Sequence, residues 1–283
     1  MKKIFITGAG SYIGTSFENW VSQWPEKYQV DTIDMRGNGW RDKSFSSYDV
    51  IYHIAAIVHV KENDTEKYFS VNRDLAVEVA KKAKIDGVKQ FIFLSTMGVY
   101  GKETGFINKN TKPNPKTPYA QSKLEAESLL SDIADDTFKV ALLRPPIVYG
   151  KDCRGNYPRL AGMALKVPVF PKVKNERSMI FIDNLSEFVR QAIDSELSGL
   201  FFPQNKEYVN TTELVQLINK AHGKELKTTG IFNPFVYIGI KLSETFGKVF
   251  GSFIYDMKIP GGPGKELDYE TCSFEESIER TEK

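Results

Sequence analysis

The stretch KIFITGAGSYIG, residues 3–14, decides the fold of this 283-residue chain. Its first part, KIFIT, has the apolar pattern of a buried strand and runs directly into a glycine-rich loop and a predicted helix. Gly8 permits the tight turn, and Gly14 permits close packing of the helix on the strand. The helix N-terminus offers free N–H groups and a positive dipole end to a pyrophosphate. Strand, loop and helix in this order predict a dinucleotide site.

Short β-branched or aromatic runs alternate with longer helical stretches from residue 3 to about residue 145. The predicted strands are Lys3–Thr7, Val30–Asp34, Val50–Ile54, Phe91–Ser95 and Val140–Arg144. The predicted helices of this part are Tyr12–Trp24, Thr65–Ile85 and Pro118–Ala134. The alternation is typical of an α/β fold, here a Rossmann-like doubly wound parallel sheet with helices on both faces.

The alternation weakens after Arg144, where several prolines interrupt the chain before a second group of helices begins. We therefore predict a Rossmann-like NAD(P)-binding domain over residues 1–150, to which residues 177–204 return. A small, mainly helical C-terminal substrate domain is predicted over residues 151–176 and 205–283. The active site is expected between the two domains.

Net charge and cysteine content exclude several classes of protein. Lys and Arg number 38 against 36 Asp and Glu, so the chain lacks the basic excess of nucleic-acid-binding proteins. Cys153 and Cys272 are too few for a disulfide framework or a thiolate metal site. We therefore expect no nucleic-acid partner, no metal ion and a reduced, cytoplasmic chain.

One apolar stretch, Ile231–Ile254, is the candidate for a membrane contact. Pro234, Lys241, Glu244 and Lys248 interrupt it, and no uncharged run reaches the roughly 20 residues that a membrane span requires. We predict no membrane span, and we interpret the stretch as a substrate-domain helix or, alternatively, as a surface contact.

Two residues at the end of the second predicted strand bear on the choice of dinucleotide. Asp34 lies where a carboxylate can accept hydrogen bonds from the adenosine ribose hydroxyls, which favours NAD. Arg36 follows two residues later, and its guanidinium could pair with a 2′-phosphate. The sequence therefore predicts NAD and leaves NADP open.

Tyr119 and Lys123 lie four residues apart in the segment YAQSK, on one face of a predicted helix. A phenol with a reference pKa of about 10 is a poor base at neutral pH. A neighbouring ammonium group, joined by the positive nicotinamide ring, favours the phenolate. Such a phenolate can take the proton of a hydroxyl group while hydride leaves the same carbon for the cofactor.

The segment FIFLSTMGVYG, residues 91–101, gives this pair its context. It is a predicted buried strand that delivers Ser95 and Thr96 at its carboxyl end. Ligands of open α/β sheets bind at the carboxyl ends of the strands. The two hydroxyl groups are therefore candidate site residues.

Six motifs, taken together, resemble those of a known family. They are TGAGSYIG at 7–14, HIAA at 53–56, STMGVYG at 95–101, YAQSK at 119–123, LRPPIVYG at 143–150 and RSMIFIDN at 177–184. Their order and spacing resemble those of extended short-chain dehydrogenases/reductases, in particular the NAD-dependent epimerase/dehydratase family, which acts on nucleotide sugars. The resemblance covers about residues 3 to 220 and implies the same fold and cofactor.

The resemblance also implies roles for the candidate residues. Tyr119 would be the catalytic base, and Lys123 its pKa partner and an anchor for the cofactor ribose. Thr96 would supply the hydroxyl that hydrogen-bonds the reacting sugar oxygen, with Ser95 as a second candidate for that hydroxyl.

Further residues enter the predicted site only through the resemblance. Asn72, in VNRDLA, resembles a helix asparagine that helps order the active-site strand. Asn156 and Arg177 resemble residues that meet the diphosphate of the sugar nucleotide, a role that suits the planar fork of arginine. The expected cofactor-binding residues are Gly8, Gly10, Ser11, Tyr12, Ile13, Gly14, Asp34, Arg36, Ala55, Ala56, Asn72, Tyr119, Lys123 and Pro146. The expected substrate-binding residues are Ser95, Thr96, Asn156 and Arg177.

Departures from the family pattern reduce the number of reactions that the site could catalyse. Dehydratases of the family place an Asp-Glu pair just after the Ser/Thr, but Met97 and Gly98 stand there and neither can move a proton. Ser11 replaces the middle glycine of the loop, and Ile147 replaces the usual asparagine before VYG. The remaining chemistry is hydride transfer coupled to proton transfer at the tyrosine.

Three functions remain open. The leading prediction is a nucleotide-sugar 4-epimerase that uses NAD on a UDP-linked hexose or N-acetylhexosamine. The first alternative is an NAD(P)H-dependent reductase of a nucleotide 4-keto-sugar, and the second is a catalytically silent NAD(P)-sensing regulatory protein. The intact Thr96, Tyr119 and Lys123 argue against the sensor. The resemblance further implies a homodimer through the helices at residues 65–85 and 118–134, for which apolar outer faces would be the structural sign.

Overall fold

A computed structural model describes residues 1–58, 64–262 and 267–283. Its strands are β1 (Lys2–Thr7), β2 (Tyr28–Ile33), β3 (Val50–His53), β4 (Gln90–Leu94), β5 (Gly105–Ile107), β6 (Lys139–Leu143), β7 (Ile147–Tyr149), β8 (Val169–Pro171), β9 (Met179–Phe181), β10 (Gly199–Phe201), β11 (Lys227–Thr229) and β12 (Phe253–Tyr255). Its α-helices are α1 (Tyr12–Val21), α2 (Thr65–Tyr68), α3 (Leu75–Ile85), α4 (Pro118–Ile133), α5 (Asn156–Ala164), α6 (Ile182–Asp194), α7 (Thr211–Ala221), α8 (Asn233–Leu242), α9 (Glu244–Phe250) and α10 (Phe274–Glu282). A π-helical segment, Phe69–Asp74, joins α2 to α3, and a 3₁₀ turn, Met97–Tyr100, follows β4.

The first of two compact units contains Met1–Gly101, Lys112–Pro145 and Ser186–Phe202. Its centre is a six-stranded sheet in the order β10-β6-β4-β3-β1-β2, and every pair of neighbouring strands is parallel. The four inner strands of this sheet, β1, β3, β4 and β6, are mostly buried on both faces, as is typical of parallel sheets, whereas the edge strands β2 and β10 are partly exposed. The Rossmann-like α/β fold predicted from the sequence is therefore confirmed.

Strand positions were predictable because each strand is a local apolar run. All five predicted strands are found within two residues of their expected bounds. The sixth strand, β10, was not predicted, because GLF at 199–201 is too short to carry a strand signal and depends on pairing with β6. The predicted helix 65–85 is helical throughout, although a π-helical segment interrupts its α-helical hydrogen bonding.

The second unit contains Lys102–Thr111, Pro146–Leu185 and Pro203–Lys283. It carries three parallel two-stranded pairs, β5 with β12, β7 with β9 and β8 with β11, together with helices α5 and α7 to α10. The unit boundaries differ from the predicted ones at residues 203–204 and at three longer segments, 102–111, 146–150 and 177–185. These segments belong to the second unit because β5, β7 and β9 form their ladder hydrogen bonds there, with partners that sequence proximity does not reveal.

Candidate active site

In the glycine loop after β1, Gly8 is closely packed, whereas the space beside Gly10 is free. Gly8 has φ +94° and donates its N–H to the Ile33 carbonyl at 2.8 Å. A Cβ at Gly8 would lie 3.1 Å from the Ala55 Cα, so the loop passes directly over the end of β3. Gly10 has φ +72°, and nothing lies within 4 Å of the position that its Cβ would take. The loop therefore leaves open space above a backbone that only glycine adopts readily.

Ser11 and Gly14 fix the start of α1. The Ser11 hydroxyl accepts a hydrogen bond from the Gly14 N–H at 3.3 Å and so caps the helix. A Cβ at Gly14 would lie 2.6 Å from the Ile54 Cδ1, which confirms that this glycine allows close helix–strand packing. Ala55 is buried and Ala56 half-buried directly after β3. Contacts of these residues with a cofactor stay predictions.

Asp34, directly after β2, is paired with Arg36. The Arg36 Nε lies 2.8 Å and its Nη2 2.5 Å from the Asp34 Oδ2, and these hydrogen bonds lower the pKa of the carboxyl group. The Arg36 side chain is 92% exposed, so solvent screens the pair and a ligand can displace it at little cost. The geometry therefore keeps both predicted cofactor contacts available, the ribose contact of Asp34 and the 2′-phosphate contact of Arg36.

Asn72 lies in the π-helical segment and is fully buried. Its Oδ1 accepts from the Ile57 N–H at 2.8 Å, and its Nδ2 donates to the Ile57 carbonyl at 3.0 Å. The same Nδ2 donates to the Ser122 hydroxyl at 3.2 Å, within the YAQSK segment of α4. Asn72 therefore joins the chain that follows β3 to the helix that carries Tyr119.

Thr96 and Tyr119 meet at the carboxyl end of β4. The Thr96 hydroxyl accepts from the Gly98 N–H at 3.0 Å and caps the 3₁₀ turn. Burial raises the pKa of Tyr119 to about 12, and a hydrogen bond with the Thr96 side chain partly offsets that rise. The Tyr68 ring stands edge-on to the Tyr119 ring, with centroids 6.4 Å apart.

Lys123 is buried, and its ammonium group is directed at the main chain. The Nζ donates to the Leu94 carbonyl at 2.8 Å and lies 4.4 Å from the centre of the Phe93 ring. Burial lowers the pKa of Lys123 to about 7, against a smaller opposing effect of Glu127. Loss of hydration is the largest cause of the pKa shift at both Tyr119 and Lys123, and the role of Lys123 as the pKa partner of Tyr119, together with the charge of a bound nicotinamide ring, stays a prediction.

A buried ion pair that sequence analysis missed lies beside these residues. Arg144 donates three hydrogen bonds to Glu127, from Nε to Oε1 at 3.0 Å, from Nε to Oε2 at 3.1 Å and from Nη2 to Oε2 at 2.5 Å. The side chains of Glu127 and Arg144 are only 5% and 7% exposed. The Ser95 hydroxyl donates to Glu127, and Arg144 donates to the Tyr100 hydroxyl at 2.8 Å. Ser95 is thus already bonded, which leaves Thr96 as the hydroxyl group beside Tyr119. The spacing of Glu127, four residues after Lys123, is the signal that could have revealed it.

Replacing Lys123 with Met should stabilise the protein most at low pH. The folded-state pKa, about 7, lies below the ordinary 10.5, so the unfolded chain binds more protons between these values and the stability of the wild type rises with pH there. We expect the Lys123→Met variant to unfold at a midpoint temperature a few degrees above that of the wild type at pH 7. The difference between the two midpoints should become smaller towards pH 9. Lys81→Met, on the exposed side of α3, is the control and should show no such trend. A difference between the unfolding midpoints of Lys123→Met and the wild type that does not change with pH would contradict the lowered pKa of the buried Lys123.

Three predicted contacts belong to the second unit. Asn156 is exposed and begins α5, and Pro146 is buried just before β7. Arg177 is buried, and its Nη1 donates to the carbonyls of Gly251 at 2.9 Å and Gly247 at 3.3 Å. Its Nε has no hydrogen-bond partner among the described residues. Arg177 thus anchors the end of α9, and its contact with a diphosphate stays a prediction, as does that of Asn156.

The outer faces of the helices in the predicted dimer interface are mainly polar. Their exposed residues are Asp74, Glu78, Lys81 and Ile85 on α3 with the turn before it, and Gln121, Ser128, Leu129, Ser131 and Asp132 on α4. The apolar outer faces expected for a dimer interface are not seen on these two helices, and the homodimer stays a prediction. Within the described ranges, no cluster of three or more potential metal-ligating side chains occurs, and no helix is both long and apolar enough to cross a bilayer.

Comparison with known proteins gives the family. The family model described as "NAD dependent epimerase/dehydratase family" matches residues 4–200. Among curated proteins, the UDP-glucose 4-epimerase of Vibrio cholerae is 28% identical over 279 residues, which cover 88% of this chain and 83% of that protein.

Solved structures share the fold over almost the full chain. The UDP-glucuronic acid 4-epimerase from Bacillus cereus, in complex with NAD, superposes with a TM-score of 0.73 at 19% identity and covers 99% of this chain and 97% of its own. The dTDP-4-dehydrorhamnose reductase from Bacillus anthracis str. Ames, in complex with NADP, has a TM-score of 0.70 at 19% identity and covers 99% and 98%. These identities are low, so the structural likeness supports the fold alone.

Proposed function

We propose that this chain, which belongs to the NAD-dependent epimerase/dehydratase family, is a 4-epimerase of a UDP-linked hexose or N-acetylhexosamine. The observation that carries the proposal is the meeting of α4 with the end of β4: the Nζ of buried Lys123, one turn after Tyr119, donates to the Leu94 carbonyl at 2.8 Å, two residues before Thr96. The printed name of the Vibrio cholerae relative supports the UDP-sugar substrate class. The free Cys153 and Cys272 are consistent with a cytoplasmic location, which is part of the proposal.

The residues around the glycine loop fit a dinucleotide. Gly8 is packed so closely that a side chain would strike Ala55, while open space lies above Gly10 and the ten-residue α1 begins beside it. The loop and helix start would hold the pyrophosphate, Asp34 the adenosine ribose and Lys123 the second ribose. When bound, NAD supplies a hydride acceptor for the sugar C4 and positive charge close to the reacting hydroxyl.

Tyr119 and Thr96 divide the proton chemistry. Tyr119 takes the proton of the C4 hydroxyl and later returns it, and Thr96 orients the same oxygen. With a pKa of about 12 the phenol is protonated at neutral pH, so added positive charge must stabilise the phenolate before it can act as a base. Lys123 has a pKa of about 7 and can take up a proton as negative charge develops nearby.

The two positions after Thr96 limit the reaction to this chemistry. Met97 is buried and apolar, and a Cβ at Gly98 would lie 3.3 Å from the Thr96 Oγ1. Elimination of water needs a second acid and base, and neither residue can serve. Transfer of hydride and of the Tyr119 proton is what the site supports.

A 4-keto-sugar reductase is the second candidate, and the exposed Arg36 is the observation that favours it. Its guanidinium fork suits the 2′-phosphate of NADP. The reductase would use the same Thr96, Tyr119 and Lys123 but would consume reduced cofactor in each turnover.

One assay distinguishes these functions. The purified chain is incubated with NAD and UDP-hexoses or UDP-N-acetylhexosamines, and separately with NADH or NADPH and nucleotide 4-keto-sugars. Both C4 isomers and the absorbance of reduced cofactor are followed. We expect interconversion of the C4 isomers without net change in cofactor. Stoichiometric loss of NADPH with a keto-sugar would replace the epimerase by the reductase, and inactivity on all substrates despite cofactor binding would contradict both.

A further inference from the structure

A row of apolar side chains is exposed on α8 and the turn before it. Ile231 is 78% exposed, Phe235 73%, Ile238 56% and Leu242 82%. Their spacing of four, three and four residues puts them on one face of the helix. We call these four residues the α8 surface. Exposed large apolar residues scattered singly are ordinary, but a continuous row marks a contact site.

One flank of α8 is packed, so the helix is held in place. Val236 is buried on that side. Gly239 faces the Phe246 ring of α9 so closely that a Cβ would lie 2.6 Å from its Cδ1. Phe246 in turn packs against Phe250, with ring centroids 5.7 Å apart. The α8 surface is thus an exposed side of a helix that is held in place by Val236 and Gly239, and two more aromatic side chains, Phe232 and Tyr237, are 48% and 46% exposed.

Exposed lysines lie near both ends of α8. Lys241 lies on α8 itself, next to Leu242, and the Lys172 carbonyl accepts a hydrogen bond from the Asn233 Nδ2 at 2.8 Å at the start of the helix. Lys227 lies on the short β11 strand that precedes α8. Among the described residues, none of these three lysines forms an ion pair, and all three are exposed. Lys172 at the start of α8 and Lys241 in its last turn therefore put positive charge near both ends of the apolar row.

We propose that the α8 surface binds peripherally to a lipid bilayer that contains anionic phospholipids. An amphipathic helix of this kind lies in the interface, with its apolar side chains at the boundary of headgroups and acyl chains. Phe235, Ile238 and Leu242 would insert, and Lys172, Lys227 and Lys241 would extend towards lipid phosphates. The proposal rests on this surface and is independent of the reaction assigned above.

A second copy of the chain fits the same surface less well. A two-fold contact brings the same patch of both molecules together. The exposed lysines near both ends of α8 would then face their own copies, and like charges opposed across an interface cost free energy. An anionic bilayer instead neutralises them, so the charge favours lipid.

Vesicle sedimentation tests the proposal with the full-length protein. Vesicles of phosphatidylcholine alone are compared with vesicles of phosphatidylcholine and phosphatidylglycerol. We expect sedimentation with the anionic vesicles, weakened by salt. The triple variant Phe235→Ser, Ile238→Ser, Leu242→Ser should lower the partition coefficient about tenfold or more, because three apolar side chains no longer insert. Lys227→Gln and Lys241→Gln should each lower it about fivefold.

Ile85→Ser is the matched control, because Ile85 is 85% exposed but lies on α3 in the first unit. This variant should sediment like the wild type, and all variants should keep the wild-type circular dichroism. Equal sedimentation of the triple variant and the wild type would overturn the proposal. A different result would also overturn it: the wild type does not sediment with vesicles but forms a dimer, and the triple variant is monomeric. The α8 surface would then bind a second copy of the chain.

Discussion

Replacing Tyr119 with Phe lowers kcat for C4 epimerisation by a factor of about 10² to 10⁴, the range for loss of a positioned acid–base group. The substitution removes the phenol oxygen, whose pKa is influenced by the Thr96 side chain, and leaves the ring in place. The binding of NAD and of the UDP-sugar should change little, so the loss should fall on kcat rather than on KM. Steady-state kinetics and a cofactor titration of the same preparation measure both.

Tyr68→Phe provides the matched control for this loss. The Tyr68 ring lies against Tyr119, with centroids 6.4 Å apart, and its hydroxyl donates to the Val58 carbonyl at 3.3 Å. The control therefore removes a phenol oxygen from the same neighbourhood and keeps that of Tyr119, whose pKa Tyr68 helps to raise. If Tyr119→Phe kept the turnover of Tyr68→Phe, the proposed role of Tyr119 would be refuted.

Replacing Arg144 with Met should lower the free energy of unfolding by about 3–5 kcal/mol. Glu127 would remain as an unpaired carboxylate in a buried position, with Ser95 as its remaining hydrogen-bond donor of those described. The large effect comes from leaving one buried charge without its partner, and not from the net contribution of the ion pair to the free energy of unfolding. Thermal and denaturant unfolding of the purified variant measure it.

Two further variants test that explanation. Arg73→Met breaks partly exposed ion pairs with Asp74 and Glu125, and we expect a loss within about 1 kcal/mol. Combining Glu127→Gln with Arg144→Met removes the stranded charge, so the double variant should be more stable than Arg144→Met alone. A single Arg144→Met variant as stable as Arg73→Met would show that the buried pair does not matter for folding.

Local patterns in the sequence determined the fold and the choice of candidate reacting groups. The stretch at residues 3–14 specified strand, loop and helix because its apolar period and its glycines act over only a few residues. Tyr119 and Lys123 could be paired in advance because i and i+4 share a helix face. The fold class and the family, predicted from such motifs, are confirmed.

Only the tertiary structure decided how these groups are bonded and charged. Glu127 accepts a hydrogen bond from the hydroxyl group of Ser95, which is 32 residues away in the sequence. Arg177 donates to carbonyl groups at the end of α9, more than 60 residues away. The pKa of Tyr119 rises and that of Lys123 falls, since burial depends on what the whole chain packs around them. Sequence spacing reports neighbours on one element, whereas hydration and long-range partners exist only after folding.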